Sequence, residues 1–324
     1  MATHSTDVET KPVPSCHVGT QINTVRRMTA RHFSADPAGM HFFSGLENFP
    51  KFLFVLDTLG QAASYLTYYS GTQPELSVED QFFLTLMKLR RNKTNFELSR
   101  LFNVTEACVA NVFITWINFM ALEWGAVDWW PSRALVHFYA PGDFKLKFPT
   151  TRVIVDGTEC PIMKPKQPIA QQATFSTYKN RNTVKVLVGV SPGGLVSFVS
   201  PAYGGSASDR QICERSSLPT MCDPGDSIMA DKGFDVQDLF DGAMVLVNIP
   251  TFFRKKNRMS ASTVLKDRRI ASKRVHVERI IGLAKTFKIL QNPLNNTESS
   301  LASEIIRVCF FLCNFRSGIV PSDA

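Results

Sequence analysis

The sequence has no CxxC pair, no long apolar run and no basic-then-apolar opening. Its seven cysteines (Cys16, Cys108, Cys160, Cys213, Cys222, Cys309 and Cys313) are odd in number and widely scattered, which argues against both a disulfide framework and a zinc finger. They read as buried thiols. Cys309 and Cys313 share a helical face, but with no further ligand nearby they do not make a metal site. No stretch approaches the roughly 18 apolar residues that cross a bilayer, and "MATHSTDVETKPVPS" is unlike a signal peptide. An intracellular protein without a membrane partner is expected. Hydrophobic residues at 44% of 324 describe a globular chain with one large or two ordinary cores.

Acid is scarce in one segment. Residues 251–290 hold twelve Lys or Arg against only Asp267 and Glu278, a local charge of +10, so the rest of the chain carries −2 of the net +8. Positive charge concentrated in this way suits a polyanion, because each neutralised phosphate releases condensed counterions. A solvated basic loop is the plainer alternative.

Residues 1–35 are polar and aperiodic and read as a flexible tail. Apolar residues then recur at helical spacing through 40–130, with Ser77 as N-cap and Asp80 three residues on. Within it, "KTNFELSRLFNVTEACVANVFITWI" (93–117) has the grammar of a helix-turn-helix. Thr94 and Glu97 form a capping-box pattern, Asn103 suits a left-handed turn, and Thr105 caps a second helix whose inner face is Cys108, Val109, Val112 and Phe113. Glu106, Ala110, Asn111 and Thr115 are expected on its exposed face. That face is hardly basic, so the segment suits either DNA reading or a purely structural helical hairpin.

From residue 150 short β-branched runs appear at 152–159, 183–191, 194–200, 227–231 and 243–250, with helical segments at 208–218, 235–240, 275–290 and 299–315. Three consecutive strands followed by alternating strands and helices predict an α/β fold, a mixed sheet with flanking helices. Asp156 and Asp231 each close an apolar strand, and each is followed closely by glycine (Gly157, Gly233). Strand-end groups line the crevice where open α/β sheets bind ligands, and a glycine there lets a bulky phosphate approach. Two such acids repel unless a cation holds them, and hard divalent ions prefer oxygen ligands. A third acid is available in "RVHVERIIGLAK" (274–285), where Glu278 shares a helical face with Gly282 and Lys285 while Val277, Ile280, Ile281 and Ala284 can pack against the sheet. The plainer alternatives are a salt bridge from Glu278 to Arg274 and turn-forming aspartates.

The run "FSTYKNRNTVKVLVGVSPGGLVSFVSPAYGGSASDRQICERSSL", then "GDSIMADKGF", "VLVNIPTFF" and "IASKRVHVERIIGLAKTFKIL", resembles the DDE superfamily endonuclease domain of PIF/Harbinger-type eukaryotic transposases. The residues before it resemble the helix-turn-helix of the same group. The resemblance implies an RNase H-like fold over about 150–315 with a helix-turn-helix at about 75–125. It implies a catalytic and metal-binding triad of Asp156, Asp231 and Glu278, holding two Mg2+ or Mn2+ ions. The implied reaction is hydrolysis of DNA phosphodiesters at element ends, followed by attack of the freed 3′-hydroxyl on target DNA. Asp209 matches an acid of the family pattern and reads as a helix N-cap. His276 faces away from Glu278 and reads as structural.

Lys179, Arg181 and Lys185 flank the first acid, and the basic segment 253–274 offers backbone contacts through Arg254, Lys255, Lys256, Lys273 and Arg274, with Lys285 beyond it. The first forty residues offer only Cys16 and His17 as zinc ligands, so the N-terminal finger of some relatives is not expected. Specific recognition of DNA would then fall to the helix-turn-helix, to an accessory DNA-binding protein or to a homo-oligomer. The expected location is the nucleus. The rival reading is a domesticated, non-cleaving DNA-binding or chromatin-associated protein. A nuclease acting on RNA or hybrids is weaker, resting on fold analogy.

Overall fold

The computed structural model describes residues 27–251, 260–317 and 320. Residues 27–35, expected in the polar tail, are instead packed on the helices that follow. The Met28 N–H donates to the Leu101 carbonyl, the Ala30 N–H donates to Asp80 Oδ1, and Arg31 pairs with Glu79. The tail residues 1–26 lie outside the described residues.

The first half runs through α1 (Pro37–Ser44), α2 (Phe49–Asp57), α3 (Val78–Arg91), α4 (Asn95–Phe102), α5 (Glu106–Gly125), α6 (Arg133–Tyr139) and α7 (Gly142–Lys147). Local chemistry sets the boundaries. Ser77 accepts the Asp80 N–H at the start of α3, Thr94 and Glu97 close a reciprocal capping box on α4, and Thr105 accepts the Cys108 N–H on α5. Each such cap stabilises its helix by about 1 kcal/mol. Asn92 and Asn103 turn the chain at φ 52° and 51°, the left-handed region Asn tolerates best after glycine. Contrary to the sequence reading, α5 is long and apolar enough by composition to cross a bilayer. Here Val109, Val112, Trp116, Ile117 and Met120 bury it in the core.

The second half comprises β1 (Thr151–Pro161), α8 (Pro168–Thr174), β2 (Phe175–Ser176), β3 (Arg181–Val190), β4 (Val196–Val199), β5 (Tyr203–Gly204), α9 (Asp209–Glu214), α10 (Leu218–Met221), β6 (Ser227–Met229), α11 (Gln237–Asp241), β7 (Leu246–Asn248), α12 (Ala261–Ala284), α13 (Asn296–Ser300) and α14 (Ala302–Asn314). The central strand β1 runs antiparallel to β3, Asp156 opposite Val188, and parallel to β6, Ile154 beside Met229. Strand β7 lies parallel beyond β6, while β2, β4 and β5 pair along β3. This is the mixed α/β sheet with flanking helices expected from the order of strands and helices.

Strand alternation sorts the sheet into two apolar faces. Ile154, Val186, Val188 and Met229 meet Val277, Ile280 and Ala284 of α12 and the apolar face of α14. Val153, Val155, Leu187 and Ile228 meet Ile212, Leu218 and Phe240 of the short helices α9 to α11. The first of these cores continues without a break into α3, α4 and α5. Trp129 stacks on Phe311 with ring centroids 5.1 Å apart, and Lys88 of α3 pairs with Glu298 of α13 at 3.0 Å, both largely shielded from solvent.

Helix α12 starts earlier than the sequence period suggests. Ser260 caps it by accepting the Thr263 N–H, so much of the basic segment between the last strand and Glu278 is helical. Lys, Arg and Ala are good helix formers, which explains why that segment extends the helix once capped.

Candidate active site

Asp156 and Asp231 are brought together by register. Ile154 of β1 pairs with Met229 of β6, and each acid lies two residues further along, hence on the same face as its paired neighbour. Both therefore point to the side of the sheet covered by α12. Strand β6 ends at Met229, so the edge of β1 beyond that point, beside Asp156, loses its parallel partner. Asp156 is not the strand end its apolar run implies. Strand β1 continues against β3 to Pro161, and the apolar run stops because burial on both faces stops.

Glu278 comes to the same edge on α12. Val277, Ile280, Ile281 and Ala284 are buried as expected, which leaves Glu278 and Gly282 on the exposed side of the helix. One turn earlier, Arg274 reaches across. Its Nη1 donates to Asp231 Oδ1 at 2.8 Å, and its Nη2 stands 3.6 Å from Glu278 Oε1. The salt bridge from Arg274 to Glu278 expected as the plain alternative is present, but the shorter contact goes to Asp231.

The Asp156 carboxyl is pushed up to about 6 by burial. Arg274 and the Gly157 N–H, which donates to Asp156 Oδ1 at 2.9 Å, pull it down, while the Asp231 and Asp209 carboxylates push it further up. The site holds more negative charge than one guanidinium balances.

Asp209 is not the N-cap. Ser208 is, accepting the Gln211 N–H in a reciprocal capping box, and Asp209 is the first residue of α9. Its carboxylate fills the space over Gly157, where a Cβ would stand 2.5 Å from Asp209 Oδ1. The glycine after Asp156 thus makes room for Asp209 rather than for a phosphate. Lys185 pairs with Asp209 at 3.5 Å and with Glu159 at 3.7 Å. Gly157, Glu159 and Lys185 alternate onto the face opposite Asp156, so this cluster is separated from the three acids by the sheet. Gly233, after Asp231, opens onto free space among the described residues.

The other basic candidates divide by environment. Lys179 and Arg181 are exposed, and Lys285 is half-buried. Lys273 is buried, pairing with Asp143 at 3.0 Å and lying 5.7 Å from the Phe144 ring centroid. Arg254, Lys255 and Lys256 lie outside the described residues. His276 is buried edge-on against Phe144, and burial followed by Lys273 and Arg279 pushes it down to about 4. It is a neutral core side chain.

The face of α5 expected to be open is covered. The Asn111 amide donates to the Thr72 carbonyl, Asn111 Oδ1 accepts the Ser70 N–H, and Thr115 Oγ1 accepts the Tyr69 N–H, so both side chains are buried under residues 69–72. Only the first turn, Thr105 to Ala107, stays fully exposed on this part of the helix. No local signal shows this, because the covering segment lies about forty residues earlier in the chain.

An α/β sheet of this order, with one acid on its central strand, a second just past the end of the neighbouring parallel strand and a third on the covering helix, is consistent with a DDE nuclease fold. Residues 155–314 match the family model of the DDE superfamily endonuclease, and residues 74–124 match that of the helix-turn-helix of DDE superfamily endonuclease. The chain therefore carries a DDE superfamily endonuclease domain of transposase type behind that superfamily's helix-turn-helix. No curated protein matches it.

That superfamily generally uses divalent metal ions. Among the described residues no three His, Cys, Asp or Glu side chains are grouped closely enough to hold one. The donor chemistry nevertheless fits. Asp156, Asp231 and Glu278 offer hard oxygen ligands, and a guanidinium already sits as a cation against two of them.

Proposed function

We propose that this protein is a metal-dependent DNA endonuclease of the PIF/Harbinger transposase type, with Asp156, Asp231 and Glu278 as its catalytic acids. The observation that supports the reading is that three acids far apart in sequence are linked through one strand register and one arginine. Two are set side by side by the β1–β6 register, and the third is joined to them through Arg274.

Asp156, Asp231 and Glu278 would hold two Mg2+ or Mn2+ ions. Such ions supply Lewis-acid stabilisation of the attacking and departing phosphate oxygens. The chain's own part is to fix the three carboxylates on a strand, a strand end and a helix, with Gly282 leaving the Glu278 face uncovered for the DNA backbone. Hydrolysis of a phosphodiester frees a 3′-hydroxyl, and in transposition that hydroxyl attacks target DNA.

Exposed Lys179 and Arg181, with Lys266, Arg268 and Arg269 on α12, supply positive charge for backbone contacts. Because Asn111 and Thr115 of α5 are covered, recognition of transposon ends would fall to its exposed first turn, to an accessory DNA-binding protein or to a second copy of the chain. Acting on chromosomal DNA would require the protein to enter the nucleus.

A second reading, a DNA-binding protein that no longer cleaves, draws support from the Arg274 guanidinium already neutralising Asp231. One experiment separates them. Purified protein and Asp156→Asn are incubated with supercoiled plasmid and Mg2+ or Mn2+. Nicking by the wild type that needs the ion and is lost in the variant supports the endonuclease; binding without cleavage by either protein supports the second reading.

A further inference from the structure

Helix α12 carries several cations, and Arg274 behaves unlike its neighbours. Lys266, Arg268, Arg269 and Arg279 are exposed. Lys273 is fixed by Asp143 on the buried side. The Arg274 side chain is only 12% exposed and is folded inward against Asp231 and Glu278.

Three features define what it does there. The grip is uneven, since the contact to Asp231 at 2.8 Å is a charged hydrogen bond and the approach to Glu278 at 3.6 Å is longer than one. Its influence also reaches the third acid, whose carboxyl it pulls downward more than any other neighbour. Finally, its buried Nε has no hydrogen-bond partner among the described residues, so the guanidinium is anchored only through the acids themselves. A side chain held in this way can let go without dismantling anything else.

Charge points in the same direction. Three ionised carboxylates and one guanidinium leave about two negative charges, which one divalent ion would neutralise. The ion and the guanidinium compete for the same oxygens of Asp231.

We propose that Arg274 is a resident counter-cation that keeps the three acids assembled when no divalent ion is bound, and that gives up Asp231 when the ion arrives. The inference rests on the assignment of Asp156, Asp231 and Glu278 as metal ligands. It makes Arg274 a positioning residue that sets how tightly, and against what competition, the site takes its ion. A site without it would repel itself apart when empty but would bind the ion without a rival.

The test is Mn2+ binding to the full chain, followed by the loss of the free-ion electron paramagnetic resonance signal, together with thermal unfolding in the presence of chelator and of Mn2+. For Arg274→Gln the expected results are a melting temperature below wild type in chelator and a larger rise on adding Mn2+. Mn2+ binding should be tighter by about tenfold, the equivalent of one charged hydrogen bond. Unchanged or weaker Mn2+ binding with a folded variant overturns the proposal. If Arg274→Gln does not fold, Arg274→Lys decides. It keeps the charge and loses the two-pronged reach, so intermediate tightening supports the proposal and wild-type or weaker affinity overturns it. Wild type binding no more Mn2+ than Asp156→Asn and Asp231→Asn would instead remove the metal-ligand assignment itself, a result distinct from failure at Arg274.

Discussion

Asp156 on β1 and Asp231, two residues past the end of β6, stand at the same distance beyond a paired couple, Ile154 and Met229. Backbone pairing up to that couple brings the two acids to one edge, and Arg274 holds Asp231 beyond it. That placement also leaves the Asp156 carboxyl largely buried, which costs free energy when the group is charged.

That cost has a pH signature. The Asp156 carboxyl lies near 6 in the folded chain and near 3.8 otherwise, so the folded form binds this proton more tightly. Its contribution to stability is fully present below about pH 4 and is lost as pH rises through about 6, a change of roughly 3 kcal/mol. Urea unfolding across that range in chelator should show the decline, and Asp156→Asn should lack it. Added Mn2+ should oppose it by binding the charged form.

Gly157→Ala places a Cβ 2.5 Å from Asp209 Oδ1 and must displace that carboxylate from Lys185. A loss of about 1–3 kcal/mol is expected in denaturant unfolding. Combining it with Asp209→Ala should recover much of the loss. Simple additivity of the two would show that the crowding is unimportant.

Ile280→Ala removes a fully buried side chain from the face of α12 that seats the helix against the sheet. It should cost about 2–5 kcal/mol. Because the same helix carries Glu278, plasmid nicking should fall even at temperatures where the variant remains folded.

Substitutions on α5 should separate stability from DNA binding. Asn111→Ala leaves the Ser70 N–H and the Thr72 carbonyl unpaired under cover, and about 1–3 kcal/mol should be lost with DNA affinity of the folded fraction unchanged. Glu106→Lys, in the exposed first turn, should leave the melting temperature near wild type and tighten DNA binding.

Lys179→Ala with Arg181→Ala removes two exposed cations. If both meet phosphates, the slope of log affinity against log salt should become shallower by about 2, measured by titration of DNA at several salt concentrations. An unchanged slope would move the backbone track elsewhere.

What the sequence revealed was mostly local chemistry. The caps at Ser77, Thr94 and Thr105 and the turn at Asn103 each depend on residues within a few positions, and all four stand where expected. The buried stripe Val277, Ile280, Ile281 and Ala284 was legible because helix period alone defines it. Asp209 was misplaced because two adjacent residues competed for one cap, and Ser208 with Gln211 forms the better box. The covering of Asn111 and Thr115 and the reach of Arg274 to Asp231 were invisible for a different reason. Both join residues about forty apart, and no periodicity encodes such a meeting.

The Lys88–Glu298 pair has a mechanical consequence. It crosses between the helix-turn-helix half and the last helices of the sheet half inside one continuous core, so separating those halves would break a shielded ion pair and expose the apolar core around it. If the first half grips a duplex and the three acids cut it, as proposed, the duplex would be presented to them at a constant offset, like stock clamped in a jig. On that reading the interval between the place held and the place cut is set by the body of the protein, so DNA inserted between them should leave the cut at an unchanged distance from the gripped sequence.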